Sequence, residues 1–177
     1  MPLLKQLWAP IAAMIVVVAA SNYAVQFPIN DWLTWGALTY PLAFLVTDLS
    51  NRAYGPARAR IVVLAGFVLG VALSVVLSSE RIAFASGTAF LVAQLLDITI
   101  FDRMRRLDWW RAPLASSLTS SAVDTALFFS LAFAATSLPW VTWAVGDYAA
   151  KLAMAALLLL PYRAAVRVIP AWRPTPA

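Results

Sequence analysis

Four ionisable side chains lie within apolar stretches of this sequence. Asp97 and Asp124 belong to two apolar runs joined by the basic loop 102–106, and Asp147 and Lys151 belong to the last run. A charge at the centre of a membrane helix costs roughly 2.5 to 3.5 kcal/mol on insertion scales, so each must be paired, protonated or hydrated. Depth along the helices predicts that Asp124 meets Lys151, while Asp147 and Lys151 are spaced i, i+4 for an ion pair. Three carboxylates and one Lys leave an acid over, which favours a binding site for a proton or a ligand donor.

Helical spacing places more polar and aromatic side chains beside these acids. Steps of three or four residues predict one face on each of two helices, and the faces consist of Ser86, Phe90, Gln94, Asp97 and Phe101, and of Ser117, Ser120, Ser121, Asp124 and Phe128. An acid, an amide and aromatic rings suit a flat heterocycle with several N–H donors, because rings stack on its faces while the polar groups bind its edge. Two structural interpretations remain open: serines for close helix packing, and an ion pair that fastens the fifth helix to the sixth.

The remaining polar residues have equally plain structural interpretations. Asn22 is late in the first apolar run, where a buried amide must find a partner. Asp48, near the end of the second, either pairs with Arg52 or binds a ligand. Arg81, beside Glu80 in a loop, either forms a local ion pair or acts as a gate.

The composition belongs to the membrane class. Hydrophobic residues make up 63% of the 177 positions and charged residues 12%, with a mean hydropathy of +0.81, whereas soluble domains carry about 25% charge. We predict one all-α domain over 1–177, a bundle of six transmembrane helices. The first run reads as a retained helix rather than a cleaved signal peptide. The predicted spans are Trp8–Val25, Leu33–Thr47, Ile61–Leu77, Ile82–Phe101, Pro113–Ala135 and Trp140–Pro161.

The basic residues predict the topology. Eleven of the thirteen Lys and Arg residues fall on one side of the predicted bundle, which places both termini in the cytoplasm of a multi-pass protein of the bacterial inner membrane. In loops beside apolar runs these charges indicate lipid head groups rather than nucleic acid as the partner. The absence of Cys and His excludes disulfides, thiol nucleophiles and the usual transition-metal sites. We expect no metal, no cofactor and no catalysis, and the sequence leaves assembly into a homo-oligomer open.

The chain resembles the queuosine precursor transporters, a family of small six-helix proteins also grouped as putative vitamin uptake transporters. The matching residues follow in order along most of the chain: Ser21-Asn22-Tyr23, Thr34-Trp35-Gly36-Ala37, Thr47-Asp48-Leu49, Tyr54-Gly55, Ala59-Arg60, Arg81-Ile82-Ala83, Gln94, Leu96-Asp97, Phe101, Arg103, Arg105, Trp109-Trp110, Ala112-Pro113, Ala115-Ser116, Asp124-Thr125, Asp147-Tyr148 and Lys151. The chain departs at Asn51-Arg52, where many members carry Asn-Glu.

The resemblance implies uptake of the 7-deazaguanines preQ0 and preQ1 for making a modified tRNA base. Gln94, Asp97 and Asp124 would then bind the heterocycle's edge, with Asn22, Asp147 and Lys151 completing the site, Phe90 and Phe101 stacking, and Asp48 and Arg81 gating. A competing hypothesis is the substrate-binding subunit of an ATP-driven energy-coupling-factor transporter, which would need a partner because the chain has no phosphate-binding loop. The sequence also leaves open an intramembrane enzyme that uses two acids, and a purely structural assembly protein.

Overall fold

The computed structural model describes residues 2–24, 27–30 and 32–173. This part of the chain is almost entirely helical, which confirms the predicted all-α class. Its elements in chain order are α1 (Pro2–Ala24), β1 (Pro28–Asn30), β2 (Leu33–Thr34), α2 (Trp35–Thr39), α3 (Leu42–Tyr54), α4 (Pro56–Leu77), α5 (Glu80–Met104), α6 (Arg111–Phe133) and α7 (Trp140–Ala165).

Four of the helices, α1, α4, α5 and α7, are long and apolar enough to cross a bilayer. Helix α6 has the length, 23 residues, but it carries Asp124 and several serines and is therefore less apolar. The second predicted span is divided between α2 and α3. The protein is thus an all-α membrane protein, and the count of six spans stays a prediction.

The second predicted span, 33–47, is broken at Pro41. Proline has no N–H group with which to extend α2, and it instead precedes the first residue of α3. Helix α3 then continues to Tyr54, seven residues beyond the predicted end. Before the break, β1 and β2 form a short antiparallel hairpin, which the sequence did not predict. Tyr40 sits at the break, where its side chain enters the bundle.

Proline also misled the prediction for the last helix. We expected α7 to end at Pro161, but the helix continues through it to Ala165. A proline inside a helix removes one backbone hydrogen bond, and membrane helices tolerate this loss because neighbouring groups satisfy the freed carbonyl. By contrast, Gly55 does separate two helices: its φ of 84° is open to glycine and strained for most residues with a side chain.

The helices pack as a bundle around α3. Helix α3 contacts α1, α4, α5, α6 and α7, while α5 and α6 share the most extensive interface. Small buried residues on α5, among them Ala85, Gly87 and Ala93, let the neighbouring helices approach closely. We call the end that carries the β-hairpin the hairpin end. The opposite end, which contains residues 102–111, is the arginine-rich end.

Large apolar side chains cover the outside of the bundle. Val68, Val76 and Leu160 expose between 67% and 81% of their surface. The interior, in turn, contains many polar side chains, including Asp48, Gln94, Asp97, Asp124 and Lys151. An apolar exterior around a polar interior is the arrangement expected of a protein that lipid surrounds.

Candidate functional site

A cavity of about 800 Å³ extends from the hairpin end into the middle of the bundle. The hairpin, α1, α2, α4, α5, α6 and α7 all contribute to its wall. At its deep end lie the side chains of Tyr40, Asp124, Asp147 and Lys151, which we call the cavity floor. The cavity therefore leads from one face of the bundle to the buried charges that the sequence singled out.

Lys151 holds the cavity floor together. Its Nζ atom donates to Asp124 Oδ2 at 2.8 Å, to Asp147 Oδ2 at 2.5 Å and to Thr125 Oγ1 at 3.1 Å. The predicted meeting of Asp124 with Lys151 is confirmed, and so is the i, i+4 pair with Asp147. Because an ammonium group has three N–H donors, Lys151 has none left for a ligand.

The two acids of the floor differ in how many carboxylate oxygens already accept a hydrogen bond. Asp124 accepts from Tyr40 Oη at 3.0 Å through Oδ1 and from Lys151 through Oδ2. Asp147 accepts from Lys151 and from Thr125, at 2.7 Å, through Oδ2 alone. Among the described residues no donor reaches Asp147 Oδ1, and the Asp147 side chain is 16% exposed. That oxygen is the acceptor that the floor offers to a ligand.

The walls combine amide and hydroxyl groups with aromatic rings. Asn22, Ser74 and Ser86 border the cavity. The Asn22 side-chain amide donates to the carbonyl of Val18 at 2.9 Å. The aromatic side of the wall is a connected group of rings, each within 6.0 Å of a neighbouring ring centroid: Phe128, Phe129, Phe133 and Trp143. A flat apolar ligand face would find matching rings here.

A second polar group lies deeper, toward the arginine-rich end, and apart from the cavity wall. We call Asp48, Gln94 and Asp97, with the hydroxyls around them, the inner cluster. Thr47 donates to Gln94 Oε1 at 2.5 Å. Ser116 and Ser117 donate to the two oxygens of Asp48 at 3.2 and 3.5 Å. Asp97 lies beside Asp48, and neither of its carboxylate oxygens accepts a hydrogen bond from the described residues.

Three aromatic rings separate the cavity floor from the inner cluster. Tyr40 packs edge to face on Phe44 and on Phe90, with ring centroids 6.2 Å apart in both pairs. We call these rings the aromatic layer. Phe101 lies beyond the inner cluster, buried against Tyr162 and Ala112. The predicted face of α5 is therefore divided among several levels of the bundle.

Comparison with known proteins decides the family. The sequence profile described as "Putative vitamin uptake transporter" matches residues 34–80 and 74–166. A protein of Haemophilus influenzae named "Probable queuosine precursor transporter" is 35% identical over 188 residues, covering 83% of this chain and 80% of that protein. The Escherichia coli "Queuosine precursor transporter" is 34% identical over 176 residues with the same coverages, and a Bacillus subtilis "Probable queuosine precursor transporter" is 30% identical, covering 77% and 73%. No solved structure matches the chain.

The chain belongs to the vitamin uptake transporter family. Membership makes it a membrane transporter and not an enzyme, which confirms the resemblance read from the sequence. This vitamin uptake transporter therefore has a cavity that is open at one end, a charged cavity floor at its bottom, and the buried inner cluster beyond that floor.

Two residues considered as gates have local partners in this vitamin uptake transporter. Arg81 donates from Nε to the carbonyl of Leu131 at 2.9 Å and from Nη2 to that of Ala134 at 2.6 Å, and so caps the end of α6. Asp48 accepts from serines of α6, and the ion pairs of the described residues include none between Asp48 and Arg52 or between Arg81 and Glu80.

Some residues of the transporter's cavity were not predicted from the sequence. Trp143 was missed although it stands four residues before Asp147 and eight before Lys151, which is the spacing of one helix face. Trp32 borders the cavity, whereas its place near a span end is typical of a lipid anchor. Ser74 offered no signal, since a single serine in an apolar run is common in membrane helices.

Proposed function

We propose that this transporter imports 7-deazaguanine queuosine precursors, preQ0 and preQ1, into the bacterial cytoplasm. The relatives' names support the substrate class. The observation that carries the proposal is the cavity floor, where Asp147 Oδ1 lacks a donor among the described residues at the bottom of a cavity large enough for a bicyclic heterocycle. A deazaguanine presents an exocyclic amine and ring N–H groups along one edge, and a carboxylate oxygen accepts from such donors.

The walls favour a flat ligand in the same position. The heterocycle would lie with its faces against the rings around Phe128 and Trp143, while Asn22 and Ser86 complete the polar contacts. Lys151 would position the floor acids rather than contact the ligand, because its three donors are already used. Asp124, with one oxygen on Tyr40 and one on Lys151, would contribute chiefly charge.

We propose that the ligand then passes the aromatic layer and meets the inner cluster. Gln94 has an amide nitrogen and Asp97 two oxygens that lack partners among the described residues. Unpaired buried polar groups are costly, and a ligand edge at that level would satisfy them. Phe90, as one ring of the aromatic layer, would move to let the ligand pass. Phe101 would line the exit toward the arginine-rich end. The transporter would alternate between this state, open at the hairpin end, and one open at the arginine-rich end.

Charge supports the direction of import. By the positive-inside rule, the arginine-rich end would face the bacterial cytoplasm. All six helices would span the inner membrane, and both termini would lie in the cytoplasm. The hairpin end, and with it the cavity, would then face outward, where a precursor is captured.

Uptake of labelled preQ0 and preQ1 by cells lacking their own route tests the proposal. We expect the parent protein alone to support uptake. Asp147→Asn should weaken apparent affinity roughly tenfold or more, since a hydrogen bond to a charged group contributes about 1.5 to 3 kcal/mol. Lys151 keeps Asp124 as a partner in this variant, so the fold should survive. Asp108→Asn, the same change at an acid that is 61% exposed in a loop, is the control.

The outcomes separate the proposal from its rivals. Unchanged uptake by Asp147→Asn at matched membrane levels would remove Asp147 from the site. Uptake only when an ATP-hydrolysing partner is co-expressed would favour the energy-coupling-factor hypothesis. Binding without uptake under both conditions would contradict import.

A further inference from the structure

We propose that Asp48 and Asp97 form a proton-binding site, and that its proton enters the cytoplasm together with the substrate. The second half of this statement rests on the proposed function, whereas the first half stands without it. Nothing in the relatives' names describes such a site. The surroundings of the two acids and the water-sized space beside them support it.

Among the described residues the two acids are buried side by side. Asp48, on α3, is 2% exposed and Asp97, on α5, is 0% exposed, and their carboxyl groups are neighbours. Within the same part of the chain Asp48 accepts only from serine hydroxyls, and Asp97 accepts from none. Two adjacent carboxylates in a low-dielectric interior cannot both be ionised without compensation.

In the part of the chain that the structure describes, no Lys or Arg forms an ion pair with either acid. On α7, Lys151 donates all three of its N–H groups within the cavity floor. Arg105, directly after α5, binds Asp102 and the backbone and side-chain carbonyl groups of Asn51. Arg52, one turn beyond Asp48 on α3, lies by Tyr162 of α7. The charged residues of α6 are Arg111, which pairs with Asp108, and Asp124, which is already paired in the floor. A proton is therefore the simplest species that neutralises the pair.

A small space borders both Asp48 and Lys151 of the cavity floor. A cavity of about 20 Å³ is bordered by Asp48, Ser117, Ser121 and Lys151, and Lys151 also borders the large cavity. That volume holds about one water molecule. Two further polar atoms on the same helices as these acids and serines, Gln94 Nε2 and Ser120 Oγ, are buried without partners among the described residues. These polar groups mark the path by which a proton would pass from the open cavity to the acids.

The chemistry favours a proton over a metal ion. The described residues contain no group of three or more acidic side chains suited to hold a metal. A sodium ion would need several oxygen ligands at once, whereas one shared proton needs only the two adjacent carboxyl groups. When the proton leaves toward the cytoplasm, repulsion between the two carboxylates would push α3 away from α5. That separation would favour opening at the arginine-rich end.

Infrared difference spectra of the purified protein test the site without any substrate. After a jump from pH 6 to pH 9 (roughly the range in which ordinary exposed acids stay ionised), we expect the parent to lose a carboxylic-acid C=O band. The double variant Asp48→Asn/Asp97→Asn should lack the band, whereas Asp147→Asn and Asp108→Asn should keep it. A parent without the band, or a double variant that keeps it, would overturn the proton site.

Liposomes containing the parent and an internal pH dye test the coupling. We expect inward transport of labelled preQ1 to acidify the interior in sodium-free buffer, with a protonophore abolishing the signal. Transport without acidification, or transport that requires sodium, would overturn the coupling. No transport of preQ1 or preQ0 would contradict the proposed function instead, and the infrared experiment would still decide whether the two acids hold a proton.

Discussion

Replacement of Lys151 by methionine isolates the energy of the cavity floor. Lys151→Met keeps a long side chain of similar width but removes the ammonium group that lies 2.8 Å from Asp124 and 2.5 Å from Asp147. At an effective dielectric constant of about 20, each of these pairs has a gross attraction of roughly 6 kcal/mol. Desolvation cancels much of it, and breaking a buried pair by removing one partner costs about 3 to 5 kcal/mol. We expect a loss of stability of that size.

The same electrostatics predict how the acids of the floor behave. Asp147→Asn leaves Lys151 with Asp124, so this variant should lose less, about 1 to 2 kcal/mol. The triple variant Lys151→Met/Asp124→Asn/Asp147→Asn has no buried charge in the floor. It should recover at least half of what Lys151→Met loses, because replacing a whole buried ion pair with neutral groups is often nearly neutral.

Unfolding by titration with a denaturing detergent, followed by circular dichroism, measures these differences. Lys151→Met should be the least stable of the four proteins, with Asp147→Asn and the triple variant between it and the parent. If Lys151→Met were as stable as the parent, the ion pair would contribute nothing. If the triple variant were no better than Lys151→Met, lost packing would explain the effect and the electrostatic explanation would fail.

Three further predictions concern single side chains. Tyr40→Phe should lower stability by about 1 to 2 kcal/mol, because Asp124 loses the hydroxyl that donates to it at 3.0 Å; the same titration checks it. Trp172→Ala should make the C-terminal tail more sensitive to trypsin, since its ring lies 5.0 Å from a guanidinium group; equal cleavage rates would show that the ring does not hold the tail. The chain has no cysteine, so single cysteines can be introduced as probes. Ser86→Cys should react about tenfold faster with a water-soluble thiol reagent than Ser120→Cys, because Ser86 lines the cavity and Ser120 is buried. Similar rates would mean that water reaches Ser120 as well.

Local spacing predicted the cavity floor well. The i, i+4 relation of Asp147 and Lys151 is a property of one helix, and the pairing of Asp124 with Lys151 follows from depth in two long helices that were predicted to cross the same bilayer. Insertion costs then require that such charges meet. The role of Tyr40 was less accessible, because its position depends on the break at Pro41 and on how α3 packs among five other helices.

The face of α5 shows where spacing stops being informative. Ser86, Gln94 and Phe101 share a face, yet about 15 residues at 1.5 Å each extend roughly 22 Å along the axis. A bicyclic ligand is far shorter than that distance, so one face must serve several levels. Ser86 borders the cavity, Phe90 belongs to the aromatic layer, and Gln94 lies in the inner cluster. Sequence periodicity predicts which way each side chain points around the helix. It does not predict which side chains of a face share one site, because that depends on the neighbouring helices that pack across the face. Here the aromatic layer interrupts the face, so a ligand moving along this face must displace rings before it reaches the inner acids.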